Sequence, residues 1–154
     1  IINPEIEGSI MPGEILWIEE NVSVRISLLS KKNPEILPQR SGLNWGQRPD
    51  YNREPNQAYL SIKKDARNEG FLPEKGYTFT LITDDNVTMD CTVQQDGRKG
   101  ISTTNDNSEL GKYFRKRLGV PSGKMIFKKD LIKYGRTDFL LSKLNEETFF
   151  LDFS

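Results

Sequence analysis

The side chains available for chemistry are limited by residue type. The 154-residue chain contains no histidine and a single cysteine, Cys91. A chain without histidine has no Ser-His-Asp or Cys-His triad, no histidine-ligated zinc and no imidazole base. One cysteine forms neither an internal disulfide nor a thiolate-cage metal site. Cys91 also alternates with Met89 and Val93 at period two, which predicts a core position on a strand.

The carboxylates do not form a catalytic pattern either. Asp84-Asp85 and Glu146-Glu147 fall in predicted turns, where paired acids are usually solvated. No calcium-binding loop, P-loop or dinucleotide-binding glycine motif occurs at its required spacing. We therefore predict no catalytic residue, no metal and no cofactor. A hydrolase that uses aspartate or glutamate with a metal remains an alternative, weakened by the missing acidic motif.

Two polar segments contain the remaining candidates for a functional site. We call residues 39–57 the first arm and residues 94–107 the second arm. Arginine suits guanine, asparagine and glutamine suit adenine, and aspartate suits the cytosine amino group in the DNA major groove. The first arm offers Arg40, Asn44, Trp45, Gln47, Arg48, Asn52, Arg53, Asn56 and Gln57. The second arm offers Gln94, Gln95, Asp96, Arg98, Lys99, Thr103, Asn105 and Asn107. The alternative is that such residues simply make flexible polar loops.

The distribution of charge favours a polyanionic partner. The chain has 22 basic and 22 acidic residues and no formal net charge. Its two ends are acidic, which leaves 18 basic against 12 acidic residues in the stretch 37–137. Charge asymmetry of this kind indicates a binding surface for an anion such as nucleic acid. The predicted phosphate contacts flank the arms and comprise Lys63, Lys64, Lys112, Arg115 and Lys116.

Hydrophobic periodicity predicts a single, mainly β domain. Alternating residues predict a hairpin over 77–93, and helical spacing predicts a helix from Ser108 to a stop at Gly119. Further strands are expected at 14–18, 22–29, 58–62, 124–127, 139–144 and 148–153, with a helix at 63–70 and a short helical segment at 130–133. This tally predicts a small, mostly antiparallel, barrel-like fold with two short helices at its ends.

Four segments resemble a known family. They are SGLNWGQR (41–48), REPNQAYLSIKKD (53–65), LGKYFRKRLGV (110–120) and DLIKYGRTDF (130–139). These are similar to the C-terminal part of the NgoFVII family of type II restriction endonucleases, from about residue 38 to the end. In that family a phospholipase-D-like nuclease domain precedes a DNA-recognition domain similar to the plant B-three fold.

The resemblance implies a seven-stranded open pseudobarrel with two short α-helices, formed by residues 37–154. Residues 1–36 would be a lead-in or linker with the first strands. It implies an N-arm (40–57) and a C-arm (94–107) that grip the major groove of double-stranded DNA. The nuclease half of the family uses a His-x-Lys motif, which a chain without histidine does not contain. The expected partners are therefore DNA and a nuclease domain of the parent chain. The fragment itself would be a monomer that does not cut DNA, from a prokaryotic cytoplasm and without a membrane segment.

Two other kinds of binding remain open at this point. A β-barrel that binds single-stranded nucleic acid without sequence preference would use Trp45, Tyr51 and Tyr59 as stacking platforms. A module that binds only other proteins would show no affinity for any nucleic acid.

Overall fold

The computed structural model describes residues 22–30, 32–62, 71–94 and 100–154. In these residues seven strands form one curled mixed sheet, a half-barrel, accompanied by two α-helices. The strands are β1 (Val22–Ser27), β2 (Leu60–Ser61), β3 (Thr78–Thr83), β4 (Thr88–Gln94), β5 (Gly100–Thr103), β6 (Asp138–Asn145) and β7 (Thr148–Asp152). The helices are α1 (Glu109–Leu118) and α2 (Lys128–Tyr134). The predicted mainly β fold with two short helices is confirmed.

The strand order places the first arm between the two edges of the sheet. The order is β1-β6-β7-β3-β4-β5-β2, and every neighbouring pair is antiparallel except β3 with β7. The chain therefore crosses from one edge strand, β1, to the other, β2, through the segment that contains the first arm. β2 has two residues, and Ser61 lies opposite Gly100 of the second arm.

Alternation along β3 and β4 builds the centre of the core. Phe79 and Leu81 point inward from β3, opposite Cys91 and Met89 of β4. The ring of Phe79 meets that of Phe149 edge-on, with centroids 5.0 Å apart. Full burial of one such ring contributes about 1.5–3 kcal/mol. The predicted hairpin over 77–93 and the predicted core position of Cys91, which is fully buried, are both confirmed.

The helices close the half-barrel by their apolar faces. Leu110 and Phe114 lie one turn apart on α1 and are fully buried, as is Leu131 of α2. Each helix ends at a glycine in the left-handed conformation, Gly119 at φ 75° and Gly135 at φ 109°. These positions suit glycine because it carries no Cβ. The predicted end of α1 at Gly119 is confirmed.

Two predictions about local structure are wrong. Residues 124–127 do not form a strand, because the N–H and C=O of Ile126 bind the side chain of Asn44 rather than a neighbouring strand. Phe127 instead precedes α2, and its N–H donates to the Asp130 carboxylate at 2.8 Å. The second arm is also shorter than predicted, since Gly100–Thr103 is the buried strand β5.

Other predictions fall on residues that the structure does not describe. The predicted strand at 14–18 and the helix at 63–70 lie outside the described residues. Strand β1 lies within the predicted lead-in and pairs along its length with β6. The boundary near residue 36 stays a prediction. Among the described residues, no helix is both long and apolar enough to cross a membrane.

Candidate nucleic-acid interface

The first arm is anchored by a buried asparagine. Asn44 ends a short 3₁₀ turn, Gly42–Asn44, and its side chain is completely inaccessible. Its amide nitrogen donates to the carbonyls of Pro38 (2.9 Å) and Ile126 (2.8 Å). Its amide oxygen accepts from the N–H of Ile126 at 2.8 Å. A buried amide needs such partners, and these leave Asn44 without a free group for a base.

Two further amides hold the arm in the same way. The side chain of Asn56 donates to the Ser122 hydroxyl at 2.9 Å and accepts from the Gly123 N–H at 2.7 Å. The Gln47 amide donates to the carbonyls of Pro55 (2.9 Å) and Gly123 (3.1 Å). We call Asn44, Gln47 and Asn56 the arm base. The three residues were predicted to contact DNA. In the structure their side chains bind residues 122–126, in the loop after α1, and hold the arm there.

The arm base also depends on two glycines at close approaches of the main chain. A Cβ on Gly46 would lie 2.3 Å from the carbonyl oxygen of Glu54. A Cβ on Gly111, in α1, would lie only 1.8 Å from the carbonyl oxygen of Asn56. Neither position accepts a larger residue without displacement of the backbone. The arm therefore packs directly against the main chain of α1.

Arg115 belongs to this anchoring structure and not to the surface. Its side chain is 1% exposed. The guanidinium donates to the carbonyls of Lys124 (2.7 Å), Gly111 (3.1 Å) and Leu43 (3.5 Å). Burial lowers the pKa of Arg115, with the charge of Glu54 acting in the opposite direction. In the structure the guanidinium that was predicted to contact a phosphate is enclosed and bound to main-chain oxygens.

The outer part of the first arm holds its arginines on aromatic rings. The guanidinium of Arg53 lies 4.2 Å from the ring centre of Trp45 and 5.7 Å from that of Tyr51. The guanidinium of Arg48 lies 4.6 Å from the ring centre of Tyr51. Trp45 in turn meets Tyr59 edge-on at 5.8 Å. Stacking of this kind orients a guanidinium while its N–H groups remain available in the ring plane.

The stacked guanidinium groups have few hydrogen-bond acceptors among the described residues. Arg53 donates to the Gln57 amide oxygen at a long 3.4 Å. In the described part of the chain, the Nε atoms of Arg48 and Arg53 are buried and have no hydrogen-bond partner. Neither guanidinium forms an ion pair with an acid of the described residues. Because these Nε atoms are enclosed, an incoming acceptor would meet the Nη groups of the two arginines.

An exposed ion pair completes the outer part of the arm. Arg40 Nη2 lies 3.7 Å from Asp50 Oδ2, and the two side chains are 57% and 79% exposed. Asn52 is exposed beside them and has a left-handed backbone at φ 51°, which asparagine tolerates. We call Arg40, Arg48, Asp50, Asn52 and Arg53 the arm tip. Asp50 was not among the predicted contacts, although an acid between basic residues of the arm was visible in the sequence.

The structure describes Gln94 and residues 100–107 of the second arm. Gln95, Asp96, Arg98 and Lys99 lie outside the described residues. Gln94 is half-buried and pairs with Gly100, whereas Asn105 is exposed. Thr103 is buried and donates to the carbonyl of Asp106 at 2.5 Å, and the carbonyl of Asn107 accepts from the N–H of Ala58 at 3.0 Å. Thr103 thus has a structural contact rather than a surface for DNA.

The other two predicted phosphate contacts on α1 are exposed. Lys112 and Lys116 are exposed and one helical turn apart, so they share a face of the helix. Gly111 and Arg115, the residues next to them in sequence, contact the first arm. This face therefore borders the arm. Lys63 and Lys64 lie outside the described residues.

The paired acids at the β3–β4 turn have a structural role. Arg117 of α1 binds Asp84 at 2.5 Å and Asp85 at 3.2 Å. Asp84 also accepts from the N–H of Phe153 at 2.7 Å. In the described residues no group of three or more histidine, cysteine or acidic side chains could hold a metal ion. Burial raises the pKa of the Cys91 thiol to about 12, so this thiol does not ionise near neutral pH.

The comparison with protein families agrees with this description. The family model of the NgoFVII C-terminal B3-like DNA-binding domain matches residues 16–145. No curated protein matches the chain. A solved structure of a hypothetical Arabidopsis thaliana protein is similar at 14% identity with a TM-score of 0.41, over 85% of this chain and 87% of that one.

The family match defines the class of protein as a B3-like DNA-binding domain. More particularly, the chain belongs to the family of NgoFVII C-terminal B3-like DNA-binding domains, as the four sequence segments implied. DNA is therefore the partner of this domain.

Proposed function

We propose that this domain reads a short sequence in double-stranded DNA, with the arm tip in the major groove and the exposed lysines of α1 on the phosphate backbone. The observation that carries the proposal is the stacking of Arg48 and Arg53 on Tyr51 and Trp45. These arginines are oriented, they lack acidic partners among the described residues, and arginine is the side chain best suited to guanine.

The same stacking argues against single-strand binding as the main activity. A protein that binds single strands needs open aromatic faces on which bases stack. Here a guanidinium occupies a face of Trp45 at 4.2 Å and of Tyr51 at 4.6 Å. The aromatic rings of the arm therefore support arginines, and the arginines present the polar groups.

The proposal extends to the parent protein. This domain would select the site for a type II restriction endonuclease, and a phospholipase-D-like nuclease domain of the parent chain would cut the DNA. The sequence carries no histidine for the nuclease motif of that family. We expect the isolated domain to be monomeric, to act in a prokaryotic cytoplasm, and to bind without cleavage.

Selection from a randomised duplex pool tests the proposal. Duplexes retained by the domain at about 100 mM salt should share a motif of roughly four to six base pairs, as expected where a single module reads the major groove. Arg48→Ala should cost about 1–3 kcal/mol of binding and relax the motif at one position. Arg25→Ala is the control, because Arg25 is an exposed arginine of β1 that pairs with Asp138 and belongs to neither arm.

Three results would contradict the proposal. Retention without any enriched motif would mean non-specific binding through charge alone. Tighter binding to single strands than to duplex would favour the stacking alternative. No retention of DNA at all would remove the nucleic-acid function from this chain.

A further inference from the structure

The arm tip contains an acid where DNA binding alone would disfavour one. Asp50 lies in the 3₁₀ turn Pro49–Tyr51, its side chain is 79% exposed, and arginines lie close to it in sequence and space. A carboxylate that approaches DNA is repelled by the phosphates. It is favourable at the interface where it accepts a hydrogen bond from the amino group of a base, and in the major groove those donors are cytosine N4 and adenine N6.

The partner of Asp50 in the free domain is Arg40. The distance of 3.7 Å between Arg40 Nη2 and Asp50 Oδ2 is too long for a good hydrogen bond. An exposed ion pair of this kind contributes little to stability. Both side chains are therefore held next to each other yet remain free to exchange this contact for contacts with DNA.

The donor of Arg40 next to the acceptor of Asp50 matches the major-groove edge of a G·C base pair. In the major groove a G·C pair presents the acceptors N7 and O6 of guanine next to the N4 donor of cytosine. Guanine O6 and cytosine N4 are hydrogen-bonded to each other, so they lie roughly 2.9–3.0 Å apart. Side-chain atoms that bind O6 and N4 in parallel must have a similar spacing, and the 3.7 Å between Arg40 and Asp50 is close to it.

We propose that Arg40 and Asp50 read one G·C base pair together, and this inference rests on the proposed function. Arg40 donates to N7 and O6 of the guanine, and Asp50 accepts from N4 of the paired cytosine. All three polar groups of that edge are then satisfied. At an A·T pair the same two side chains reach adenine N6 and thymine O4, which leaves adenine N7 without a partner. Asp50 is therefore a specificity-determining residue, and Arg40 shares its base pair.

The test is selection from a randomised duplex pool with four proteins: the unchanged domain, Arg40→Ala, Asp50→Ala and the double variant. Both single variants should lose the preference for G·C at the same position of the motif, by about 10-fold or more. The double variant should lose little beyond either single variant, because the two side chains serve one base pair. Glu146→Gln is the matched control, since Glu146 forms an exposed ion pair with Lys143 in the β6–β7 turn.

The outcomes separate this inference from the proposed function. If the unchanged domain selects no motif, the proposed function fails and this inference fails with it. If it selects a motif but the two variants relax different positions, or none, the shared base pair is wrong and the proposed function stands. If Asp50→Ala strengthens binding to all duplexes alike, Asp50 is only a solvated acid and the inference is overturned. Unchanged thermal unfolding of the variants confirms that each is folded.

Discussion

The base and the tip of the first arm use the same residue types for opposite purposes. At the base, Asn44 and Asn56 are buried, and their side chains bind other parts of the protein. At the tip, Asn52 and Arg40 are exposed, and Arg48 rests on an aromatic ring without an acidic partner among the described residues. One stretch of 19 residues, 39–57, thus contains both an anchor and a binding surface.

This comparison shows that burial decides whether a polar side chain of the arm anchors the fold or is available to a ligand. An amide that is removed from water must replace its hydrogen bonds inside the protein, and it is then unavailable to a ligand. The arm base meets this requirement through main-chain groups of Ile126 and Gly123. Fixing the base also lowers the entropy lost when the tip binds, since fewer residues must be ordered at that moment. Substitutions at the base should therefore act on folding, and those at the tip on recognition.

Gly111→Ala is the strongest test of the base. Alanine in place of glycine within a helix normally stabilises it by about 1 kcal/mol. Here the added Cβ would lie 1.8 Å from the Asn56 carbonyl, so the arm must move. We expect the free energy of unfolding to fall by about 3 kcal/mol and DNA affinity to fall with it. Urea unfolding and DNA titration measure both effects, with Lys112→Ala as a folding control at the neighbouring exposed position. A gain in stability would show that the arm is not held against α1.

Asn44→Ala should have the next largest effect. It removes the partner of the N–H and C=O of Ile126 and of the Pro38 carbonyl. Leaving buried main-chain groups unpaired should cost about 2–3 kcal/mol in the free energy of unfolding. Asn105→Ala, at an exposed asparagine of the second arm, should change it by less than about 0.5 kcal/mol. Equal effects of the two substitutions in thermal unfolding would remove the distinction between anchoring and exposed amides.

Acidic pH should weaken the contact between α1 and the β3–β4 turn but leave the contacts of the arm base unchanged. Burial by itself raises the pKa of Asp84, but hydrogen bonds from Arg117 and from the Phe153 N–H outweigh it and lower the pKa below the ordinary 3.8. The ionised carboxylate therefore stabilises the fold above that pH, and this contribution is lost as the pH falls through the lower folded-state value.

We accordingly expect the free energy of unfolding to fall with pH below about 3.8, and to fall less steeply in Asp84→Asn. Asn44→Ala should lower the free energy of unfolding by the same amount at every pH, because the contacts of Asn44 are between uncharged groups. Urea unfolding at a series of acidic pH values measures both. An unchanged slope in Asp84→Asn would mean that other acids dominate acid unfolding.

The smallest effect is expected at the exposed face of α1. Lys116→Ala should leave stability within about 0.5 kcal/mol. It should weaken binding to all duplexes alike and make the dependence of log affinity on log salt shallower by about one. Lys116→Arg keeps the charge and should keep the slope. A change of motif in Lys116→Ala would place this lysine at a base instead of at the backbone.

Local pattern predicted the β3–β4 hairpin and the end of α1 but missed strand β5. The alternation that places Phe79, Leu81, Met89 and Cys91 inward predicted the β3–β4 hairpin, because the strand period is a property of neighbouring residues. The glycine at 119 marked the end of α1 for an equally local reason. The failures concern partners far along the chain. Residues 124–127 have the composition of a strand, but Asn44 takes the main-chain groups that a strand would need.

The sequence by itself determined the class of chemistry: no histidine for catalysis, a mainly β fold and an arm rich in amides and guanidinium groups. Only the tertiary structure decided which of those groups are available to DNA. Asn44 meets Ile126 across 82 positions, and Arg115 meets Leu43 across 72. Composition does not reveal such contacts, because the burial of a side chain depends on which distant segments pack around it. The side chains of the arm base are used by the fold, so within the first arm the tip is the part that can face a ligand.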